Sequence, residues 1–190
     1  MSTTMAQQRI SNYPEAEGPL TEARVAVLIP CCNEANTIAR VTRDFRSALP
    51  RATVYVYDNN SSDGTARIAE SAGAAVRYEP MQGKGHVVRR MFSDIEADAY
   101  VLVDGDDTYD ASAAPAMVER VLRGGVDMVV GRRVDTEADA YRSGHRFGNT
   151  LLTHAVGLLF GNRVQDMLSG YRVFSRRFVK SFTVFTPGFE

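Results

Sequence analysis

An α/β fold with a mainly parallel central sheet is predicted for this chain by three observations. Short apolar runs alternate five times with segments of helical period, and most of these runs end in a polar or acidic cluster. With 190 residues, 44% hydrophobic and 24% charged, the chain also has enough apolar material for one core. Residues 1–23 are polar, with Pro14, Gly18 and Pro19, and are expected to be a disordered lead-in to a domain spanning 24–190.

Val25-Ala26-Val27-Leu28-Ile29 reads as a continuous apolar strand closed by Pro30, and Asn33-Glu34-Ala35-Asn36 is expected to open a helix running to about Ala48. Thr53-Val54-Tyr55-Val56-Tyr57 is the second strand. The turn-rich Asp58-Asn59-Asn60-Ser61-Ser62-Asp63-Gly64 then leads into a helix over 65–72. A short third strand covers 74–78, and beyond a Gly83-Lys84-Gly85 loop the spacing of Val87, Val88, Met91, Phe92 and Ile95 marks one helix face. Ala99-Tyr100-Val101-Leu102-Val103 is the fourth strand, 112–123 a helix and 126–130 a fifth strand. In open parallel sheets the chemistry sits beyond the C-terminal strand ends. Asn33-Glu34, Asp58-Asn59, Asp104 to Asp107 and Gly131-Arg132-Arg133 stand there.

The segment Asp104-Gly105-Asp106-Asp107-Thr108-Tyr109-Asp110 packs four carboxylates into seven residues. Like charges this close raise one another's pKa unless a cation joins them. Hard oxygen ligands favour Mg²⁺ or Mn²⁺, ions that commonly carry phosphate oxygens; a solvated acidic turn is the competing reading. Net charge is −1, but seven acids and no Lys or Arg fall within 91–110. Over 141–180 the sign reverses, with Arg142, Arg146, Arg163, Arg172, Arg176, Arg177 and Lys180 against Asp166 alone. Such a split suits a protein that holds a cation in one place and an anion in another. The basic segment carries no nucleic-acid motif, so no nucleic-acid partner is expected. The adjacent Cys31 and Cys32 read as reduced core residues, and His86, His145 and His154 lack the spacing of a metal pair. The longest apolar runs fall short of the roughly 20 residues needed to cross a bilayer and the N-terminus lacks a signal pattern, so a cytoplasmic location is expected.

Five motifs, in order, resemble family 2 glycosyltransferases: Val27-Leu28-Ile29-Pro30-Cys31-Cys32-Asn33-Glu34, Asp58-Asn59-Asn60-Ser61-Ser62-Asp63-Gly64-Thr65, Gly83-Lys84-Gly85, Asp104-Gly105-Asp106 and Asp166-Met167-Leu168-Ser169-Gly170-Tyr171-Arg172. Within that family, the third and fifth are similar to the dolichol- and polyprenyl-phosphate sugar transferases. The resemblance covers about residues 25–190. It implies a GT-A fold and inverting transfer of a sugar from a nucleotide-sugar donor, GDP-mannose or UDP-hexose, to a polyprenyl-phosphate acceptor. It sets Pro30, Asn33, Glu34 and Asp58 beside the nucleotide, Lys84 on the donor phosphates and Asp104 toward ribose or metal. Asp106 is the main implied ligand of Mg²⁺ or Mn²⁺, joined by Asp104 and by Thr108, where close relatives often carry Gln. Asn33 also reads as a helix N-cap, and Asp107 and Asp110 as residues that shape the loop.

The implied acceptor is a phosphate monoester with a second pKa near ~6, already ionised at neutral pH, so the site needs cations more than a strong base. Arg132, Arg146 and Arg172 are expected near the phosphates. Asp166 reads either as a base or as the residue that orients Arg172; the second is preferred because the nucleophile needs no deprotonation. The apolar stretch 147–160 reads first as a buried helix and second as an interfacial one, allowing peripheral contact at the inner face of a membrane. The family pattern continues beyond the last residue here, so the domain is expected to be incomplete at its C-terminus. Two alternatives stand beside the transferase reading: a catalytically degenerate or truncated nucleotide-sugar-binding domain, and a receiver-like α/β signalling domain.

Overall fold

Strand β1 (Val25–Cys31) shows why the chain folds into layers: its residues point alternately to two sides, and both sides are apolar. Val27 and Ile29 join one buried cluster while Ala26 and Leu28 join another, so the sheet must be covered on both faces. The computed structural model describes residues 22–131 and 169–181. Helix α1 (Ile38–Ala48) buries Ile38, Val41, Thr42 and Phe45, the three-and-four spacing of a single apolar stripe. β2 (Thr53–Asp58), α2 (Thr65–Ser71), β3 (Ala75–Tyr78), α3 (Lys84–Asp94) and β4 (Ala99–Leu102) follow. A 3-10 turn over Ala111–Ala113 leads into α4 (Ala114–Arg123), then come β5 (Met128–Val130), β6 (Arg172–Ser175) and α5 (Arg176–Ser181). Residues of α1, α2 and α4 pack with Val27, Val56 and Val101 on one face, and residues of α3 and α5 pack with Leu28, Tyr100 and Phe174 on the other.

The six described strands run in the order β3-β2-β1-β4-β6-β5. β1 is parallel to β2 and β4, and β2 to β3, with Leu28 opposite both Tyr55 and Leu102. β6 is antiparallel to β4 and to β5. The expected mainly parallel α/β sheet is therefore present, with an internal antiparallel strand that periodicity did not predict. That strand departs from the parallel, doubly wound order of receiver domains, so the receiver-like alternative falls.

Three local expectations are corrected. The first helix begins at Ile38 and not at Asn33, whose φ of 59° is left-handed and cannot start a right-handed helix; the N-cap reading of Asn33 falls with it. Lys84 and Gly85 do not form a loop with Gly83, because they are the first residues of α3. Gly83 alone supplies the turn, with φ 128°, a conformation that favours glycine. Lastly, much of the basic tail balances acids far from the polar strand ends. Arg176 and Lys180 pair with Glu96 at 3.0 and 2.7 Å, and Arg177 pairs with Asp127 at 2.8 Å. Because β6 runs backwards, Ser175 lies opposite Ala99, the start of β4, while Arg172 lies opposite Leu102 near its end.

Asp127 ties β6 and α5 to the turn before β5. Arg177 meets it with Nε on Oδ1 at 3.0 Å and Nη2 on Oδ2 at 2.8 Å, and the Ser175 hydroxyl donates to Oδ1 at 2.7 Å. The Arg177 contact, then that of Ser175, holds the Asp127 carboxyl below its ordinary value. A depressed carboxyl stabilises the fold above its unfolded pKa, and that contribution is lost as pH falls through the folded value. Asp127→Asn is therefore expected to melt about 2 °C lower at pH 7 and to lose that gap in acid, once pH has fallen through the folded value of the Asp127 carboxyl. An equal gap at pH 7 and in acid in thermal scans would refute this.

The lead-in up to residue 21, Arg132, His145, Arg146, the 147–160 stretch, His154 and Asp166 lie outside the described residues. Among the described residues, no helix is long and apolar enough to cross a membrane.

Candidate functional site

The parallel strands end together, and the loops that leave them are laced to one another by short side chains. The Asn33 N–H donates to Ser61 Oγ at 2.9 Å, and Asn33 Oδ1 accepts from the Ser62 N–H at 2.9 Å. Glu34 N–H donates to Thr65 Oγ1 at 2.8 Å and Ala35 N–H to Asp63 Oδ2 at 3.0 Å. Asp63 also accepts from the Thr65 hydroxyl at 2.5 Å, which above all holds its carboxyl below the ordinary value. The loop after β1 thus rests on the loop after β2. This gives Asn33 a structural occupation and fixes the Glu34 backbone.

A second brace runs from β2 to α3. Asn59 is 2% exposed; its amide donates to Glu79 O at 2.7 Å and Met81 O at 2.9 Å, and its Oδ1 accepts from Gly83 N–H at 2.8 Å. Three backbone groups of one loop converge on one side chain, and that loop delivers Lys84 at the N-terminus of α3. The acidic loop is braced from α1: Thr37 Oγ1 donates to Gly105 O at 2.6 Å, and Arg40 pairs with Asp107. Asp107 has φ 64°, and Asp110 accepts from Ser112 N–H at 2.8 Å. Both acids thus shape the loop, as expected for them. Gly105 sits where a Cβ would come within 2.7 Å of Cys31 Sγ. Cys31 is buried, Cys32 is half-buried, and both are free thiols.

These loops enclose a cleft of about 350 Å³. Pro30, Glu34, Lys84, Asp104 and Asp106 line it, along with Cys31, Cys32, Asn59, Val87 and Gly105. Five of the expected site residues are therefore brought to one cavity. Asn33, Asp58, Thr108 and Arg172 are not among its lining residues. Asp58, 4% exposed at the end of β2, has its Oδ2 on Ser61 N–H at 3.2 Å and its Oδ1 without a hydrogen-bond partner among the described residues. Thr108 is exposed and donates its N–H to Asp106 Oδ1 at 3.1 Å. Arg172 Nε donates to Ser169 O at 3.0 Å, supporting the turn beside the acidic loop.

That turn closes the site from the C-terminal segment. Ser169 Oγ donates to Gly131 O at 2.5 Å, Gly170 N–H donates to Tyr109 OH at 2.6 Å, and Tyr171 lies against Phe45 and Tyr109. A Cβ on Gly170 would overlap the Asp104 carboxylate. The other side of Asp104 is occupied by the Lys84 ammonium, to which it is hydrogen-bonded. Burial, then the nearby Asp106 and Asp104 carboxylates, hold the Glu34 carboxyl above its ordinary value despite a bond from the Thr37 hydroxyl.

A divalent cation fits this donor set. Among the described residues no three acidic, histidine or cysteine side chains are gathered into a ready cage. Mg²⁺-type ions are commonly held by one or two carboxylates, with waters and substrate phosphates supplying the rest. Asp104 and Asp106 offer those hard oxygens in an acidic cleft whose one lining ammonium belongs to Lys84.

Comparison with known proteins bears on the family and the fold. The family model described as glycosyl transferase family 2 matches residues 26–182. Protein RfbJ of Shigella flexneri is 55% identical over 123 residues, covering 64% of this chain and 95% of RfbJ. Glycosyltransferase AglJ of Haloferax volcanii is 39% identical over 171 residues, covering 89% of this chain and 56% of AglJ. A solved glucosyl-3-phosphoglycerate synthase from Mycobacterium tuberculosis, in complex with Mn²⁺, UDP-glucose and phosphoglyceric acid, superposes with a TM-score of 0.72 at 25% identity. It matches 88% of this chain and 62% of that one. The chain thus spans nearly all of RfbJ but little more than half of AglJ and of the synthase.

Proposed function

This chain belongs to glycosyl transferase family 2, and from that premise we propose that it moves a hexose from a nucleotide-sugar donor to a polyprenyl-phosphate acceptor, with inversion. The observation that carries the reading is the meeting of Lys84, Asp104 and Asp106 in one cleft beyond the parallel strand ends. Asp106 and Asp104 would hold Mg²⁺ or Mn²⁺, with the Thr108 hydroxyl close by in the loop. When bound, that ion neutralises charge on the departing diphosphate.

The protein's own groups do the rest. Pro30 and Glu34 border the nucleotide, with Asn33 holding their loop in place. Asp58 Oδ1 is a buried acceptor lacking a donor among the described residues, and it accepts from a ring N–H of the base, as uracil and guanine present, once the loop that covers it parts to admit the nucleotide. Lys84 and the first N–H groups of α3 face the donor phosphates, where a helix N-terminus favours anions. Arg172, together with Arg132 and Arg146, supplies charge for the acceptor phosphate, and Asp166 orients Arg172.

An acceptor phosphate oxygen forms the new bond to the anomeric carbon as the bond to the diphosphate breaks. The nucleoside diphosphate leaves with the electron pair. Attack opposite the leaving group inverts the centre, and no proton need be taken from a dianionic nucleophile. An acceptor of this kind places the protein at the inner face of a membrane, in peripheral contact.

Calorimetry with UDP-glucose and GDP-mannose, each with and without Mn²⁺, tests the donor half: Mn²⁺-dependent binding of one of them is expected. Transfer is then followed on polyprenyl phosphate in anionic vesicles, which also reads salt-sensitive membrane contact. Binding without transfer identifies the degenerate nucleotide-sugar-binding alternative. Failure to bind either donor overturns the transferase reading.

A further inference from the structure

Asp104 is held on two sides. Gly170 lies against one side of its carboxylate, so closely that a Cβ there would overlap it, and the Lys84 ammonium bonds the other oxygen. The two side chains are only 26% and 30% exposed, so their attraction is screened less than that of a surface pair. Lys84 cannot withdraw by moving its backbone. It is the first residue of α3, preceded by a glycine at φ 128° whose N–H is clamped by the buried Asn59. Only its four-carbon stem is free to swing. Glu34 and Asp106, the other two acids of the cleft, form no salt bridge among the described residues, and Lys84 is the one cationic residue that lines it.

We propose that Lys84 competes with the divalent cation for Asp104, and that the cation's arrival hands the Lys84 ammonium to the donor phosphates. An ammonium and a divalent ion repel one another and need the same lone pairs, so they cannot both sit on the unblocked side of this carboxylate. Once displaced, Lys84 is already at the N-terminus of α3, where the phosphates are expected. Cation and nucleotide therefore assist each other: the cation frees the lysine that the nucleotide needs, and the nucleotide draws away the lysine that obstructs the cation. Such coupling is reciprocal, and each ligand raises the affinity of the other by the same factor.

The inference rests on Asp104 and Asp106 being the cation site. Titration of Mn²⁺ alone into the full chain, followed by electron paramagnetic resonance of the free ion, compares the natural protein with Lys84→Met, Lys84→Gln and Lys84→Arg. Folding is checked by circular dichroism, and Lys84→Gln takes the place of Lys84→Met if the latter does not fold. Without nucleotide, the Met and Gln variants are expected to bind Mn²⁺ about tenfold more tightly than the natural protein, and the Arg variant to remain weak. With saturating UDP or GDP, phosphate oxygens on the ion raise Mn²⁺ affinity in every variant, and the gain of the natural protein is expected to exceed that of the neutral variants by about tenfold.

Unchanged or weaker Mn²⁺ binding by the neutral variants, beside a natural protein that binds Mn²⁺ and nucleotide together, overturns the competition and leaves the transferase reading intact. A natural protein whose gain in Mn²⁺ affinity with nucleotide does not exceed that of the neutral variants overturns it too. Absence of Mn²⁺ binding in every protein, with and without nucleotide, removes the cation site and the inference with it.

Discussion

Asp106→Asn is expected to lower kcat/KM by about 10³-fold and to abolish Mn²⁺-dependent donor binding, with the melting temperature almost unchanged. Asp106 is exposed, and its Oδ1 accepts a hydrogen bond from the Thr108 N–H. An asparagine oxygen can keep that bond, so the loop has no reason to rearrange. Charge is what disappears, and with it a hard anionic ligand. A metal that neutralises a leaving diphosphate is worth several kcal/mol, and each ~1.4 kcal/mol is tenfold in rate. Steady-state kinetics with the preferred donor, paired with a thermal melt, gives the answer. A variant that keeps a tenth of the natural rate under Mn²⁺ would show that Asp106 is not the main ligand.

Asn59→Ala is expected to destabilise the fold by about 3 kcal/mol and to weaken donor binding at the same time. The side chain is 2% exposed and serves three backbone groups, those of Glu79, Met81 and Gly83. Removing it leaves buried donors and acceptors unpaired, at about 1–3 kcal/mol for each that water does not reach. The loop it organises sets the start of α3, so Lys84 loses its placement along with the stability. Urea denaturation measures the first effect and calorimetry with nucleotide the second. A loss below about 0.5 kcal/mol would mean that water replaces the amide readily.

Much of this arrangement was legible in the sequence because it depends on near neighbours. β1, β2 and β4 announced themselves as apolar runs, and Pro30, Glu34, Lys84, Asp104 and Asp106 stood at or after strand ends, where an α/β sheet collects ligands. What escaped depends on distant partners. β6 is only four residues long, and its place between β4 and β5 is settled by pairing with residues from Ala99 to Val130. Asn59 looked like one more turn residue, since its three partners lie 20 to 24 positions away in the chain. Asn33 looked like a cap because Asn commonly is one; the hydroxyl and amide of the Ser61-Ser62 loop claimed it instead. The flanking glycines of Lys84 suggested a loop, yet only Gly83 needs the freedom a glycine has. The Asp63-Gly64-Thr65 triplet at the start of α2 was a readable signal of the brace under Glu34, but it reads only as a turn leading into a helix and as part of a family motif.

The internal antiparallel strand also dictates an order of assembly. β1, β2, β3 and β4 pair with one another and can do so as soon as they leave the ribosome, whereas among the described strands β5 has β6 alone as a sheet neighbour. The contact of Gly170 with Tyr109 spans 61 residues, so the wall behind Asp104 is synthesised well after the acidic loop it supports. Long-range pairing of this kind is slow, because the intervening chain must be closed before any contact rewards it. The nascent protein thus carries its acidic loop for some seconds before Asp104 is seated, and the ability to bind becomes a property of the finished sheet.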